Sequence, residues 1–154
     1  MRVVLGNVID MAFAAELDVI IQGCNCFCRM VNGLATEISE RCPNAVHIDN
    51  TTKAGARAKL GTYTVGFQST EANHQFAVVN AYIQFERRRE EDEDLVEYDA
   101  LRTLLQAVPS EIAGMRIGLP LIGARIACGN WATIERMVLE ELSALDVTIV
   151  HFDS

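Results

Sequence analysis

The residues best suited to chemistry lie between 22 and 35, which read Gln-Gly-Cys-Asn-Cys-Phe-Cys-Arg-Met-Val-Asn-Gly-Leu-Ala. An apolar run at 18–21 (Asp-Val-Ile-Ile) leads in, and a helical pattern from Leu34 to Ile38 leads out. A strand that feeds a glycine-bearing turn and then a helix makes an anion site. The first helical turn leaves backbone N–H groups free and carries partial positive charge. Asn25, at the strand end, adds a side-chain donor and acceptor where a ligand would sit. A second turn of the same design follows the apolar run 115–122, spans Gly123 to Gly129 and leads into a helix near Asn130. Ligands of open α/β sheets gather at the carboxyl ends of the strands. Two such loops meeting there can hold the two phosphates of a diphosphate. Neither a Walker A sequence nor Gly-x-Gly-x-x-Gly is present, which argues against P-loop NTPases and Rossmann dehydrogenases.

Other chemistry-bearing side chains read more plainly. Cys24, Cys26 and Cys28 alternate, so on a strand they share a face. Zinc would need Cys128 to complete the set, and the spacing is not that of paired C-x2-4-C ligands. Small buried thiols beside the loop are the expectation, with no metal and no cofactor. A catalytic cysteine would need a base, and spacing places none of His47, His74 or His151 beside one. Trp131 falls on an apolar helix face and reads as core.

The elements that must position these residues alternate between strand and helix. Val3–Leu5 reads as a short buried strand and 6–10 as a turn; Val19 to Cys24 is a second strand, apolar without alternation, as expected when both faces are covered. Leu34, Ala35, Ile38 and Cys42 recur at helical spacing, with Pro43 as a stop. A polar stretch with a short helix or loop follows to Lys59, then strands over 60–66 and 76–83. Tyr98, Leu101, Leu104, Leu105 and Val108 mark an amphipathic helix ended by Pro109. A strand over 115–122, a helix carrying Ile134, Met137, Val138 and Leu142 on one face, and a strand over 147–152 complete the chain. This order predicts an α/β fold, a three-layer α/β/α sandwich with a mixed central sheet. With 154 residues, 50% of them hydrophobic, and no repeat or linker, residues 1–154 are expected to form a single domain.

The net charge of −8 lacks the basic face that direct nucleic-acid binding needs, yet leaves open a small anionic ligand held by backbone N–H groups. No run reaches the roughly 18–20 apolar residues of a membrane span. The N-terminus enters a strand pattern without the apolar core of a signal peptide, so a cytoplasmic location is expected. Five cysteines then read as reduced thiols. The charged segment 86–97 reads as a solvated loop. Oligomeric state is left open.

Several strings together resemble the macro domain family of ADP-ribose-binding modules, over nearly the whole chain and in order. Gly6-Asn7-Val8 is similar to the family's Gly-Asp-hydrophobic opening, and Gln22 to Asn25 falls where its Asn-Ala-Ala-Asn segment lies. Residues 30–35 (Met-Val-Asn-Gly-Leu-Ala) resemble the first glycine-rich loop, and 119–131 the second. The 24–30 string, Leu60 to Tyr63 and Val78 to Tyr82 look most like a phage and bacterial branch, close to ADP-ribose-1″-phosphate phosphatases and terminal ADP-ribose hydrolases.

The resemblance implies a small-molecule partner, ADP-ribose or a derivative, and assigns provisional roles. Asn7, Val8 and Phe152 would meet adenine or its ribose; Gln22 belongs to the strand-end segment; Asn25, the one candidate catalytic residue, would face the distal ribose. Met30, Val31, Asn32, Gly33 and Leu34, with Leu121, Ile122, Gly123, Ala124, Arg125, Ile126 and Ala127, would cradle the diphosphate. The departures bear on activity. Asn7 replaces the Asp that accepts from the adenine amino group, Val31 and Arg125 stand at glycine-like positions, and Asn130 replaces Asp as a helix N-cap. Gln84 and Ala127 stand where one hydrolase branch has its covalent Lys and its Asp, so that mechanism is not expected. Hydrolysis of ADP-ribose 1″-phosphate by water is the expectation, or of an ADP-ribosyl bond; its base would come from His47, His74, His151 or Asp10. The alternatives are a non-enzymatic reader of ADP-ribose, or a degenerate fold with an interaction role.

Overall fold

The computed structural model describes residues 1–31, 33–86, 94–124 and 129–152. Asn32, Arg125, Ile126, Ala127 and Cys128, together with most of the charged 86–97 segment, lie outside them. The strands are β1 (Arg2–Gly6), β2 (Val19–Asn25), β3 (Tyr63–Ser69), β4 (Gln75–Gln84), β5 (Arg116–Leu119) and β6 (Asp146–Phe152). They form one sheet in the order β1-β6-β5-β2-β4-β3. Every neighbouring pair is parallel except the antiparallel β3–β4 pair, so the sheet is mixed.

The uniformly apolar strand pattern is explained by what covers each face. On β2, Val19 and Ile21 point to one layer and Ile20 to the other. The first layer holds α4 (Tyr98–Ala107) and α6 (Trp131–Leu142), whose Leu101, Leu104, Leu105, Ile134, Met137 and Val138 are buried against Val79, Ile117 and Ile149. The second holds α1 (Val8–Phe13), α2 (Leu34–Arg41) and α3 (Pro43–Asp49), which bury Ile9, Ile38 and Ala45 with Phe76 and Val78. Each such aliphatic side chain contributes about 1.5–3 kcal/mol by leaving water. The three-layer α/β/α sandwich is therefore the observed architecture. Its helix α3 packs directly on β3, where a Cβ added at Gly66 would stand 2.7 Å from the Ala45 nitrogen.

Four local readings are corrected. Val3–Leu5 is a strand but not a buried one: β1 is an edge strand, with Val3 and Leu5 exposed. Residues 6–10 are not a plain turn: Asn7 is an N-cap whose Oδ1 accepts from Ile9 N (2.9 Å) and Asp10 N (3.0 Å), and this starts α1 at Val8. Pro43 and Pro109 follow the ends of α2 and α4, but each also opens a short helix of its own, α3 and α5 (Pro109–Ile112). Proline lacks only an N–H that the first helical turn leaves unpaired anyway. Strand β3 begins at Tyr63 rather than Leu60, after a 3-10 turn at Arg57–Lys59 and a positive φ of 82° at Gly61. Among the described residues no helix is long and apolar enough to cross a membrane.

Candidate functional site

The parallel strands all end at one side of the sheet, and there the ends of β1, β2, β4 and β6 and the turn after β5 border a cavity of about 460 Å³. This size suits a small-molecule ligand.

One end of the cavity is polar. The register of β2 against β4 shifts between Cys24 and Asn25, a bulge-like irregularity of the kind that re-aims a side chain. Asn25 lines the cavity at 8% exposure, and its amide also braces its own turn. Oδ1 accepts from Phe27 N (2.9 Å) and Nδ2 donates to the Arg29 carbonyl (3.0 Å), leaving one N–H and one lone pair for a ligand. Gln22 donates to Asn80 Oδ1 (2.8 Å), and Asn80, fully buried, donates to the Ala45 carbonyl and Thr64 Oγ1. This network locks β2, β3, β4 and α3 together beneath the cavity floor. Gln84, at the end of β4, lines the same wall and donates to the Glu86 carbonyl at 2.9 Å.

Asp49 completes the polar end. It is the last residue of α3, only 2% exposed, and lines the cavity. Its Oδ1 accepts the Tyr82 hydroxyl at 2.7 Å, a phenol whose pKa burial pushes well above the ordinary value. Among the described residues no donor reaches Oδ2. Nearby, Lys59 spends its ammonium on the Cys26 carbonyl (3.2 Å) and Cys28 Sγ (3.6 Å) and lies 4.5 Å over the Tyr82 ring.

The middle of the cavity is a pair of turns. Gly33 takes φ 55° and ψ −130° as the N-cap of α2, a conformation open to glycine, and presents Leu34 and Ala35 at the cavity wall. Opposite it Leu121, Ile122 and Gly123 line the wall, with Gly123 at φ 72° and a Cβ there 3.0 Å from Val96 Cγ2. The other end is apolar, walled by Gly6, Val8, Val150 and the half-exposed Phe152. Its charged group is Glu37, in the first turn of α2.

Of the residues singled out in the sequence, Val8, Gln22, Asn25, Met30, Gly33, Leu34, Leu121, Ile122, Gly123 and Phe152 line this cavity. Asn7, Val31 and Ala124 are not part of the lining. Asn7 turns its oxygen to the α1 backbone, and the Val31 side chain is 51% exposed rather than filling the loop. The histidines and Asp10 stand elsewhere. His47 and Asp10 are exposed, with Asp10 paired to Arg41, and His74 bonds the Leu17 carbonyl. His151 falls on β6 between Val150 and Phe152, and so on the opposite face of the strand. Cys24 and Cys26 are buried and their thiols pushed up by desolvation. Cys28 has left the strand at φ 57°. Sequence reasoning missed the two carboxylates, Glu37 and Asp49. A signal for Asp49 existed: it follows the inward Ala45 by one helical turn, which puts both on the same face.

No protein-family model matches the sequence. The chain is 30% identical over 148 residues to an uncharacterized 17.5 kDa protein from the tk–vs intergenic region of Enterobacteria phage T4, covering 93% of this chain and 92% of that protein. The chain belongs to the same family as this phage protein. Among solved structures, a protein of unknown function from Bacteroides thetaiotaomicron superposes with a TM-score of 0.74 at 21% identity, over 98% of each chain. DarTG of Thermosipho africanus in complex with ADP-ribose superposes at 0.72 with 14% identity, over 99% of this chain and 42% of that one. The macrodomain of Thermus aquaticus DarG gives 0.69 at 18% identity, over 99% and 97%. This chain has the macrodomain fold.

The two turns flanking the cavity are the Gly33 and Gly123 loops, and the described part of each has a glycine with positive φ at its bend. The cavity runs from an apolar wall with one carboxylate to an amide-rich wall with another, so its two ends differ in chemistry.

Proposed function

We propose that this macrodomain binds ADP-ribose or a close derivative and hydrolyses ADP-ribose 1″-phosphate. The reading is carried by the order of surfaces along the cavity. The apolar wall of Val8, Val150 and Phe152 suits a flat base. The Gly33 and Gly123 turns suit a diphosphate, which the N–H groups at the start of α2 and the helix dipole favour. The amides of Asn25 and Gln84 with Asp49 suit a sugar and the group it carries. DarTG of Thermosipho africanus and the macrodomain of Trypanosoma brucei, both similar in fold, are described in complex with ADP-ribose.

In the proposed reaction Asn25 orients the distal ribose through its remaining N–H and lone pair. Asp49 Oδ2 takes a proton from a water whose oxygen bonds to phosphorus. The bond from phosphorus to the 1″ oxygen breaks, its electron pair stays on that oxygen, and a solvent proton completes ADP-ribose and inorganic phosphate. Gln84 stands where a covalent lysine would act and, as an amide, forms no such adduct. That absence also favours a second reading, a non-enzymatic reader of ADP-ribose. Calorimetry with ADP-ribose, paired with a phosphate-release assay on ADP-ribose 1″-phosphate, separates the readings. Heat with phosphate release supports the hydrolase, heat without release supports the reader, and no heat at millimolar ligand removes both.

A further inference from the structure

We infer that Glu37 is the specificity residue that reads the exocyclic amino group of adenine. The inference rests on the ADP-ribose reading above and names how the base is recognised. Glu37 lies in the first turn of α2 with its side chain about one-third exposed (31%), and it lines the apolar end of the cavity. The side chains of Val8, Val150 and Phe152, which share that end, carry no polar atom to meet a base edge. The side-chain oxygen of the neighbouring Asn7 is already engaged: Oδ1 accepts from Ile9 N and Asp10 N.

Glu37 is instead held ready as an acceptor. Asn7 Nδ2 donates to Oε1 (3.0 Å) and Oε2 (3.2 Å), and Arg41 Nη1 donates to Oε1 at 3.0 Å. Oε2 therefore has one donor among the described residues and a free lone pair. Arg41 is itself fixed by Asp10 at 2.6 Å and by the Phe13 ring, 4.8 Å from its guanidinium carbon. The carboxylate is thus fixed before ligand arrives, and it lies at the boundary of an apolar wall where a charge-assisted bond is strong. An amino donor is matched there, whereas a carbonyl oxygen at the same ring position meets a negative charge.

The test is calorimetry on the unaltered protein with ADP-ribose and with its deaminated analogue, in which hypoxanthine replaces adenine. The expected result is binding of ADP-ribose tighter by roughly 10- to 100-fold, the range for a hydrogen bond to a charged group. Glu37→Gln, checked for folding by circular dichroism, should weaken ADP-ribose and narrow that gap. Equal affinity of the unaltered protein for both ligands overturns the role of Glu37 and leaves ADP-ribose binding standing. Binding of neither ligand overturns the ADP-ribose reading itself, and the role of Glu37 with it. Because the first comparison needs no variant, a misfolded Glu37→Gln cannot rescue the idea.

Discussion

Asn7 and Glu37 are joined by an amide whose nitrogen donates to both carboxylate oxygens, at 3.0 and 3.2 Å, tying the start of α1 to the first turn of α2. An aspartate at position 7 could still cap α1 but has no hydrogen to donate, and it sets two carboxylates against each other. Asn7→Asp should therefore destabilise the protein by about 1–2 kcal/mol at pH 7, as expected for a lost bond to a charged, partly exposed group. The deficit should shrink at about pH 3, where carboxylates take up protons. Urea unfolding at the two pH values measures this, and equal stability of both proteins at pH 7 refutes it.

Asp49 and Tyr82 supply the next expectation. Asp49→Asn keeps the volume and an oxygen to accept the Tyr82 hydroxyl, but removes the proton acceptor at Oδ2. Phosphate release from ADP-ribose 1″-phosphate should fall by about 100-fold or more, the usual loss when a general base is removed. Affinity for ADP-ribose should change by no more than about threefold, well under the roughly 1.4 kcal/mol that a tenfold change represents. Parallel kcat and calorimetric measurements decide it; an unchanged kcat removes Asp49 from the reaction.

Gly33 sets the geometry of the first loop. With φ 55° and ψ −130° it occupies a region where a Cβ is strained. Gly33→Ala should cost about 1–3 kcal/mol of stability, or shift the loop and weaken ADP-ribose binding. Thermal unfolding and calorimetry together detect either effect, and a variant identical to the parent in both contradicts the assignment.

A pH dependence follows from Asp18, whose carboxylate accepts from Arg116 N (2.8 Å), Nε (3.0 Å) and Nη2 (2.9 Å) and fastens β2 to β5. The side-chain bond from Arg116 holds its pKa at about 2 against an ordinary 3.8. A carboxyl depressed in the folded state stabilises fully above its unfolded value and loses that contribution as pH falls through the folded one. The Tm advantage of the parent over Asp18→Asn should thus be constant above about pH 5, shrink below about pH 4 and vanish only below about pH 2. An advantage that grows on acidification would contradict the pairing.

Much of the fold was legible because its signals are local. The helical spacing of Leu101, Leu104 and Leu105 and the unbroken apolar run at 19–21 identify elements whatever lies around them. The two strand–turn–helix units announced themselves by glycine and helix-start residues, and Asn130 caps α6 through Thr133 N at 3.1 Å as its type suggests. Where the reading failed, a side chain had a choice of partner. Asn7 could have faced a ligand or capped a helix, and the backbone of Ile9 and Asp10 claimed it. Pro43 could end a helix or begin one, and it lies at the joint where α2 ends and α3 begins.

By itself, then, the sequence determined the alternation of strands and helices, the α/β/α layering and the two glycine turns at the strand ends, because hydrophobic period and backbone permissiveness act over a few residues. Only the tertiary structure decided which charged groups face the cavity. Glu37 and Asp49 lie twelve residues apart on consecutive helices, yet they stand among different walls of one cavity. The histidines that composition offered as bases point elsewhere. That outcome depends on how α2 and α3 pack across β2 and β4, and on which donors, Asn7 and Tyr82, are left to hold each carboxylate. Such pairings are fixed by contacts between residues distant in sequence, and no local pattern encodes them.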